Sequence, residues 1–383
     1  MLKILLLNDY LEGGGAEGVF RTSIALLEKE HEVDFLVGSE KIKKPKNLKN
    51  YLCNSEFMHK LEEKLNKFHP DVIHIHNYYH FLSPGIFYTI KKFKKKHAVK
   101  VILTAHDYHL ISPSSGLLYH EKNRVKTIDV NNNSLRSILF KRIDHRGFKY
   151  SFVKKIQWFW AIKLSRIIRV IDMIVAPSYF LKEAFEKSNI QKEIQMIRNP
   201  FETDNTKSIR KTPVAEKIKL LFIGRLSREK GLLEFLKALD INKVTNLTFD
   251  ILGNGEQASE IKSFIKEKQL DYITMHGHKT QGEVQQFLTS SNVLILPSVI
   301  YENAPLSVIE GATFKNIIVA SDLGGIREIT KLTESYVLVK DWSLEIKSAL
   351  KEVVTKKTNK ITNPSEFTSE NYVTALQKIY TQQ

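Results

Sequence analysis

The chain has 383 residues, of which 42% are hydrophobic and 26% are charged, a balance typical of soluble globular proteins. This length suits two domains. No apolar stretch reaches the roughly 18 residues that a membrane-spanning helix needs, and the N-terminal MLKILLLNDY is too short for a signal peptide and predicts a buried strand. The single cysteine, Cys53, excludes disulfides within the chain and cysteine-rich zinc sites. We therefore expect a cytoplasmic protein.

The formal net charge of +16 is distributed unevenly. Residues 1–200 contain 34 Lys and Arg against 20 Asp and Glu, whereas residues 201–383 contain 24 against 22. Basic residues are densest at 122–171, where they alternate with large apolar side chains, and a second run is KKFKKK at 91–96. Nucleic-acid binding is disfavoured because no nucleic-acid module accompanies the charge. The second run is more typical of a solvated surface, but the first favours an anionic membrane surface.

The membrane hypothesis concerns the segment from Arg136 to Arg169. On a membrane, its cationic side chains would contact the headgroups, and Trp158, Phe159 and Trp160 would enter the interface. The alternative is an ordinary helix pair that packs against its own domain.

Strand and helix patterns alternate along the chain, which predicts parallel sheets covered by helices. In the first half, strands are predicted at 3–7, 32–37, 71–76, 100–104, 173–176 and 194–197, and helices near 16–29, 56–67, 85–96, 134–169 and 178–187. The polar stretch 199–217 predicts an interdomain linker. Later strands are predicted at 219–223, 247–252, 272–276, 293–296 and 317–320, and a final amphipathic helix at 364–380.

A glycine-rich loop, Gly13-Gly14-Gly15, follows the first predicted strand. Glycines permit close backbone approach, and the N–H groups at a helix start can bind a phosphate. We therefore interpret Gly14 and Gly15 as phosphate-binding candidates, the alternative being a tight turn without a ligand. The loop does not read GxGxxG, which disfavours a dinucleotide-binding domain.

Histidines lie at the ends of two predicted strands. His106 follows the strand in ILTAHDYHLISP, and His74 and His76 alternate in DVIHIHNYYH. A histidine in such a place is often a hydrogen-bonded structural group. Because no carboxylate or cysteine cluster accompanies them, His74 and His76 favour packing or an acceptor-side role over a metal site.

In the second half, Gly224 and Arg225 end the strand in LLFIGRLSREKG, and Lys230 opens the next helix. Open α/β sheets bind ligands beyond the carboxyl ends of their strands. The sequence contains no Asp-x-Asp pair to hold a metal, so Arg225 and Lys230 are the candidates for neutralising an anionic group. The alternative is solvated loop charges.

The stretch SVIYENAPLSVIEGATF places Glu302 and Glu310 on either side of a predicted helix start, with seven residues between them. Pro305 suits the first turn, and the following amides, Leu306 to Val308, are predicted as free donors at the positive end of the helix dipole. Each carboxylate could accept hydrogen bonds from hydroxyls on a different part of one elongated ligand. The alternative is a loop acid favoured by the dipole and a solvated helix carboxylate.

Together these segments resemble the retaining glycosyltransferases of family 4, which are nucleotide-sugar enzymes of the GT-B fold. The resemblance rests on Glu302-x7-Glu310 with the following IIVASDLGGIREI, on LLFIGRLSREKG and on LLLNDYLEGGGAEG. It implies an α/β fold with two Rossmann-like domains facing each other across a cleft. The expected domains are residues 1–199 with a C-terminal crossover helix at 364–383, and residues 200–363.

The resemblance also implies roles for individual residues. His106 would contact the sugar or the acceptor, and Arg225 and Lys230 would stabilise the leaving diphosphate. Glu302 and the amides that follow it would bind the transferred sugar, and Glu310 would bind the ribose hydroxyls. The other implied donor-binding residues are Gly14, Gly15, Gly224, Asn303, Ala304, Leu306 and Ser307.

No metal and no cofactor besides the nucleotide-sugar substrate is expected. The implied acceptor is a membrane-linked glycan or a polysaccharide on the inner face of the cell membrane. Its hydroxyl is expected to attack the anomeric carbon from the front side, assisted by the leaving phosphate. Two alternatives remain open: a nucleotide-sugar epimerase of the same fold, and a non-catalytic basic protein that binds membranes or nucleic acid.

Overall fold

The structure is a computed structural model that describes residues 1–40, 47–122, 124–130, 138–201, 218–241, 243–244 and 246–382. The chain divides into two compact units. The first comprises Met1–His120, Ile128–Pro200 and Glu366–Gln383, and the second comprises Glu121–Thr127 and Phe201–Ser365. Most of the predicted linker at 199–217 lies outside the described residues.

The described residues before position 200 contain eight strands. They are β1 (Lys3–Tyr10), β2 (Glu32–Ser39), β3 (Val72–Ile75), β4 (Lys100–Thr104), β5 (Leu118–Glu121), β6 (Arg124–Thr127), β7 (Met173–Ala176) and β8 (Glu193–Met196). Six of them form a parallel sheet in the order β2-β1-β3-β4-β7-β8, and β5 and β6 form a separate two-stranded sheet. The sequence pattern did not predict β5 and β6.

Among the described residues, helices with bounds on both sides are α1 (Gly15–Leu27), α2 (Leu48–Leu52), α3 (Ser55–Phe68), α4 (Ile86–Lys94), α5 (Phe148–Trp158) and α6 (Tyr179–Lys187). The central strands are buried on both faces, which explains their unbroken apolar runs. The helix α6 begins where its N-cap Ser178 accepts a hydrogen bond from the N–H of Leu181.

The basic segment predicted as helix at 134–169 is partly described. Residues 134–137, including Arg136, lie outside the described part of the chain. The helix α5 continues into a π-helical turn, Phe159–Leu164, and a 3-10 turn follows at Ile167–Arg169. The segment is therefore shorter and less regular than a single long helix.

The second unit contains six strands: β9 (Ile218–Ile223), β10 (Leu247–Leu252), β11 (Ile273–Gly277), β12 (Val293–Leu296), β13 (Ile317–Ser321) and β14 (Tyr336–Val339). All are parallel, in the order β11-β10-β9-β12-β13-β14. The sequence pattern predicted all but the four-residue β14. Two helix-covered parallel sheets confirm the predicted α/β class.

The remaining helices are α7 (Leu232–Ile241), α8 (Ala258–Glu267), α9 (Gln281–Ser290), α10 (Leu306–Thr313), α11 (Gly324–Thr330), α12 (Trp342–Thr355) and α13 (Ser369–Thr381). Short 3-10 turns occupy Arg228–Lys230 and Pro364–Phe367. The helix α13 belongs to the first unit, where the hydroxyl of Tyr372 lies 2.7 Å from that of Ser23.

Each parallel sheet has one point at which the strand order reverses. It falls between β1 and β3 in the first unit and between β9 and β12 in the second. The loops that leave neighbouring strands there turn to opposite faces of the sheet, and the crevice between them is where open α/β sheets bind ligands. The predicted site residues follow β1, β9 and β12, except His106, which follows β4.

Candidate functional site

The loops that follow β9 and β12 are in direct contact. The N–H of Val299 donates to the carbonyl of Glu229 over 2.9 Å. Gly231 has a φ of +68°, and a Cβ added there would lie 2.1 Å from the carbonyl oxygen of Pro297. Only glycine fits such a close approach in the left-handed region. Gly231 therefore holds the turn that carries Lys230 against the loop that carries Glu302.

Lys230 and Glu302 form an ion pair at this junction. Their Nζ and Oε2 atoms lie 2.8 Å apart, and the side chains are 25% and 15% exposed. The hydroxyl of Ser298 donates to the other carboxylate oxygen of Glu302. Burial alone would raise the pKa of Glu302, but Lys230, Ser298 and Arg225 outweigh it and hold that pKa below its usual range. Glu302 is therefore ionised at neutral pH.

Arg225 directly follows Gly224 at the end of β9, and its side chain is exposed. Its charge contributes to the lowered pKa of Glu302. Two cations, Arg225 and Lys230, and one carboxylate therefore share the carboxyl end of the β9–β12 crevice, as predicted from their separate positions after strands. Cations placed in this way can stabilise an anionic group that lies beyond the sheet.

The helix α10 begins one residue later than predicted, because Pro305 is its N-cap. The prediction that the N–H of Val308 is free was wrong, because it donates to the carbonyl of Pro305 over 3.1 Å. This tight first turn uses one of the four N–H groups that a helix start normally leaves open. Leu306 and Ser307 remain as the terminal donors of the helix, next to Asn303 and Ala304 in the loop.

Glu310 lies in the middle of α10 and contacts the start of α9. Its Oε1 accepts a hydrogen bond of 2.8 Å from the side-chain amide of Gln281. Burial raises the pKa of Glu310, although Gln281 opposes the shift. Gln281 was not predicted as a site residue. The capping box that Thr280 forms with Glu283 marks the start of α9 and is the sequence signal that could have placed it.

A third βα unit supports the loop that carries Glu302. The N–H of Gly325, in α11, donates to the carbonyl of Glu302 over 3.1 Å. A Cβ added to Gly325 would lie 1.7 Å from the carbonyl oxygen of Asn303, so no side chain fits there. The glycines of the DLGGIREI stretch thus position the loop and contribute no side chain to it.

In the first unit, Gly14 and Gly15 lie at the start of α1, as predicted, and both are exposed. The N–H of Gly14 donates to Oε2 of Glu17 over 2.7 Å. This carboxylate therefore occupies one of the amide donors that the sequence suggested for a phosphate. Gly15 lies one residue farther into the helix start.

His106, which follows β4, is held by a second histidine. Its Nε2 lies 3.0 Å from Nδ1 of His76, and the two rings stack with centroids 5.2 Å apart. Burial lowers the pKa of His106 to about 4, so its ring is neutral at pH 7. His74 instead bonds to the hydroxyls of Thr104 and Tyr380, each over 2.7 Å, which is the packing role predicted for it.

A buried carboxylate follows His106 and was not predicted. Asp107 accepts hydrogen bonds from the hydroxyl of Tyr79 and from the N–H of His109, the latter over 2.8 Å. Burial raises the pKa of Asp107 to about 6, although these donors oppose the shift. The ring of Tyr79 stacks on that of His109 with centroids 3.9 Å apart. These contacts order the polypeptide on both sides of His106.

The aromatic residues of the basic segment differ from the prediction. Trp158 is 4% exposed, and its indole N–H donates to the carbonyl of His109 over 2.7 Å. Trp160 is half-buried, and only Phe159 of the three is exposed. The prediction that Trp158 enters a membrane interface was therefore wrong, because the helix turns it into the protein core.

Metal and membrane features were also sought in the described ranges. There, no group of three or more His, Cys, Asp or Glu side chains is arranged to hold a metal ion. None of the helices in those ranges combines the length and the apolar character needed to cross a bilayer.

Comparison with known proteins agrees with this geometry. The family profile described as "Glycosyltransferase Family 4" matches residues 12–205, and that described as "Glycosyl transferases group 1" matches residues 204–366. A 42.6 kDa protein of the cps region of Klebsiella pneumoniae is 23% identical over 292 residues, which cover 76% of this chain and 67% of the relative.

Two solved structures show the same fold. Anabaena HepE in complex with UDP-glucose matches with a TM-score of 0.67 and 14% identity over 100% of both chains. The lipopolysaccharide outer core galactosyltransferase WaaB matches with a TM-score of 0.64 and 16% identity over 99% of this chain and 100% of that one. With a family profile that covers half of its length and a two-sheet architecture shared with these proteins, the chain belongs to glycosyltransferase family 4 and is a glycosyltransferase of the GT-B fold.

Proposed function

We propose that the enzyme transfers a sugar from a nucleoside-diphosphate sugar to a hydroxyl group, with retention of configuration and without a metal ion. The observation that carries this proposal is the junction of Lys230 with Glu302, 2.8 Å apart at the carboxyl ends of β9 and β12. A cation there faces the part of the sheet where a diphosphate would bind. Arg225 supplies a second cation at the same edge.

The leaving diphosphate gains negative charge as its bond to the anomeric carbon breaks. Lys230 and Arg225 stabilise this charge in the transition state, which is where such interactions accelerate a reaction. The N–H groups at the start of α10 add fixed partial charges. When a diphosphate binds, Lys230 pairs with it instead of with Glu302. The carboxylate of Glu302 then becomes available to the transferred sugar.

The other candidate residues hold the reactants. Glu310 accepts hydrogen bonds from the ribose hydroxyls, and Gly15 offers its amide to a phosphate, whereas the N–H of Gly14 is engaged by Glu17. His106, neutral at pH 7, contacts the sugar or the acceptor and does not serve as the base. The acceptor oxygen attacks the anomeric carbon on the face that the diphosphate leaves, and its proton passes to the departing phosphate oxygen.

The comparisons suggest the chemical class of the substrates. HepE was solved with UDP-glucose, WaaB acts in the lipopolysaccharide outer core, and the Klebsiella relative comes from a cps region. We infer a UDP-sugar as the first donor to test, and a membrane-linked glycan or a polysaccharide as the acceptor. The enzyme would work in the cytoplasm, at the inner face of an anionic membrane.

A panel of UDP-, GDP- and ADP-sugars tests the proposal. Thermal melts would show which nucleotide stabilises the protein, and slow hydrolysis of that donor would identify the sugar. Lys230→Ala should abolish both signals, whereas Lys243→Ala, which changes an exposed lysine of the same unit, should leave them intact. Stabilisation by none of the donors would contradict the proposal, and release of an epimerised nucleotide sugar would indicate an epimerase instead.

A further inference from the structure

Two basic runs that are far apart in the sequence meet in the first unit. The last turn of α4 and the segment that follows the π-helical turn enclose a pocket of about 540 Å³. Lys91 and Lys95 contribute from α4, and Lys163, Arg166 and Arg169 contribute from the other side. We call this surface the basic pocket. The sequence suggested that the run at 91–96 was a solvated face, separate from the basic run at 122–171.

The charges of the basic pocket have no local counter-charge. No acidic residue lines the pocket, and its five exposed cations form no ion pair with the described residues. A sixth cation, Lys94, is already neutralised because it bonds to the carboxylate of Asp172. Five like charges in one concavity repel one another and raise the local positive potential, which favours an anionic ligand.

Apolar side chains border the same surface. Leu164 lines the basic pocket and is 64% exposed. Along α5 and the π-helical turn, Phe148, Phe152 and Phe159 are 67%, 64% and 44% exposed. Phe148 and Phe152 are four residues apart and therefore lie on one helix face. Leu164 lines the pocket and Phe159 lies in the same π-helical turn as Lys163, so exposed apolar groups accompany uncompensated cations, the combination that binds the interface of an anionic bilayer.

The neighbouring cations of the segment are already engaged. Lys154 pairs with the buried Asp144 over 3.0 Å, and Lys155 donates to the carbonyls of Leu139 and Lys141, each over 2.7 Å. They stabilise the fold around α5 and are not available to a ligand. Among the described residues, the five exposed cations of the basic pocket have no such ion-pair partner.

We propose that the basic pocket binds the phosphate headgroups of an anionic membrane while Leu164 and Phe159 enter the interface. The inference extends the membrane association of the proposed function by assigning its surface, and it is tested without sugar transfer. A soluble phosphate would account for the cations but not for the exposed leucine and phenylalanines. A nucleic acid would use aromatic rings for base stacking, but it would not need an aliphatic side chain such as Leu164 at the edge of the pocket.

Co-sedimentation with vesicles tests the proposal. Vesicles of equal parts phosphatidylglycerol and phosphatidylcholine should capture the protein at low salt, and vesicles of phosphatidylcholine alone should not. Each removed cation should lower the partition coefficient roughly fivefold. Lys91→Gln/Lys95→Gln and Lys163→Gln/Arg166→Gln should therefore each lower it about 25-fold, and Phe159→Ser/Leu164→Ser should lower it about tenfold.

A matched control separates the basic pocket from net charge. Lys29 and Lys67 are exposed lysines elsewhere in the same unit, and Lys29→Gln/Lys67→Gln removes the same charge as each pocket variant. The proposal requires the control to bind vesicles within about twofold of wild type. Thermal melts with and without the donor nucleotide confirm that each variant is folded and that its donor site is intact, so loss of vesicle binding is distinct from loss of the proposed function.

Several results would overturn the proposal. Equal capture by neutral and anionic vesicles would remove the role of the net negative charge of the headgroups, and an equal loss in the control would show that only the net charge of the protein matters. Full displacement from vesicles by soluble glycerol phosphate would assign the basic pocket to a small phosphate. Binding of duplex DNA at physiological salt as tight as binding to the vesicles would assign it to a nucleic acid.

Discussion

Replacing Glu302 with Gln should separate donor binding from turnover. Without a donor, the ammonium group of Lys230 forms an ion pair with the carboxylate of Glu302, with Nζ and Oε2 2.8 Å apart. A diphosphate must compete with that carboxylate for the lysine. Glu302→Gln removes the competitor and keeps the shape of the side chain, so UDP should bind as tightly as before or more tightly. Turnover should fall, because the carboxylate that holds the sugar is gone.

The magnitudes follow from the partial burial of the pair. Lys230 is 25% exposed and Glu302 is 15% exposed, so their attraction is worth less than that of a fully buried pair. A gain of about 1 kcal/mol, or roughly fivefold in the Kd for UDP, is the expected scale. The loss of one group that stabilises the transition state should raise the barrier by about 2–4 kcal/mol. Lys230→Ala should instead weaken UDP binding and lower the rate together.

Glu302→Gln should also change how the stability of the protein depends on pH. The pKa of Glu302 is held below its usual range, so its ion pair stabilises the folded chain above the unfolded pKa of about 4.3 and ceases to do so as pH falls through the folded value. Glu302→Gln should therefore lower the Tm at pH 7 and should match wild type more closely below about pH 4.

Isothermal titration with UDP and steady-state rates with the donor found by screening measure both effects. The control is Glu334→Gln, since Glu334 pairs with Lys360 on the surface of the same unit, with side chains that are 45% and 70% exposed. Glu334→Gln should change neither the Kd for UDP nor the steady-state rate. If Glu302→Gln weakened UDP binding as strongly as Lys230→Ala, Glu302 would be part of the nucleotide site, and the exchange of partners at Lys230 would be refuted.

Four further outcomes are expected. Glu310→Ala should weaken UDP binding by about 1.5–3 kcal/mol, the scale of charge-assisted hydrogen bonds, and an unchanged Kd in titration would remove its ribose assignment. Transfer should persist in excess EDTA, whereas a strict need for magnesium or manganese would contradict charge neutralisation by side chains. Gly325→Ala should lower turnover, because its Cβ would lie 1.7 Å from the carbonyl oxygen of Asn303, whereas Gly282→Ala, with nothing within 4 Å, should not. Burial lowers the pKa of His106 to about 4, so stability should be lost as pH falls from about 6.5 towards 4, and thermal melts of His106→Asn should show a shallower decline.

Arg225, Lys230 and Glu302 could be predicted because they lie in the connections that follow β9 and β12. Arg225 comes two residues after β9 ends, and Glu302 lies in the loop that follows β12. In a parallel sheet, positions after neighbouring strands meet at one edge, so local patterns were enough to bring them together. The hydrogen bonds of Ser298 and Gln281 depend on side-chain packing and were not predictable from spacing.

The basic segment shows where composition stops being informative. Its charges and aromatic residues were visible in the sequence, but the side chains that face solvent were not. The π-helical turn at Phe159–Leu164 inserts extra backbone into the helix and rotates the residues that follow. Trp158, just before this turn, is buried in the core, and Lys163 and Leu164, at its end, reach the surface beside α4.

Two glycines explain why the donor-side geometry is set by backbone rather than by side chains. Gly231 brings the turn after β9 against the carbonyl of Pro297, and Gly325 brings α11 against the carbonyl of Asn303. Three βα units, built on β9, β12 and β13, are thereby packed at van der Waals contact around the loop of Glu302. A Cβ at either glycine would overlap a backbone carbonyl of that loop, so the loop would have to move. The distance between Lys230 and Glu302 therefore depends on residues that contact neither charged group nor the sugar. The DLGGIREI stretch is thus as necessary to the proposed chemistry as the glutamate that it supports.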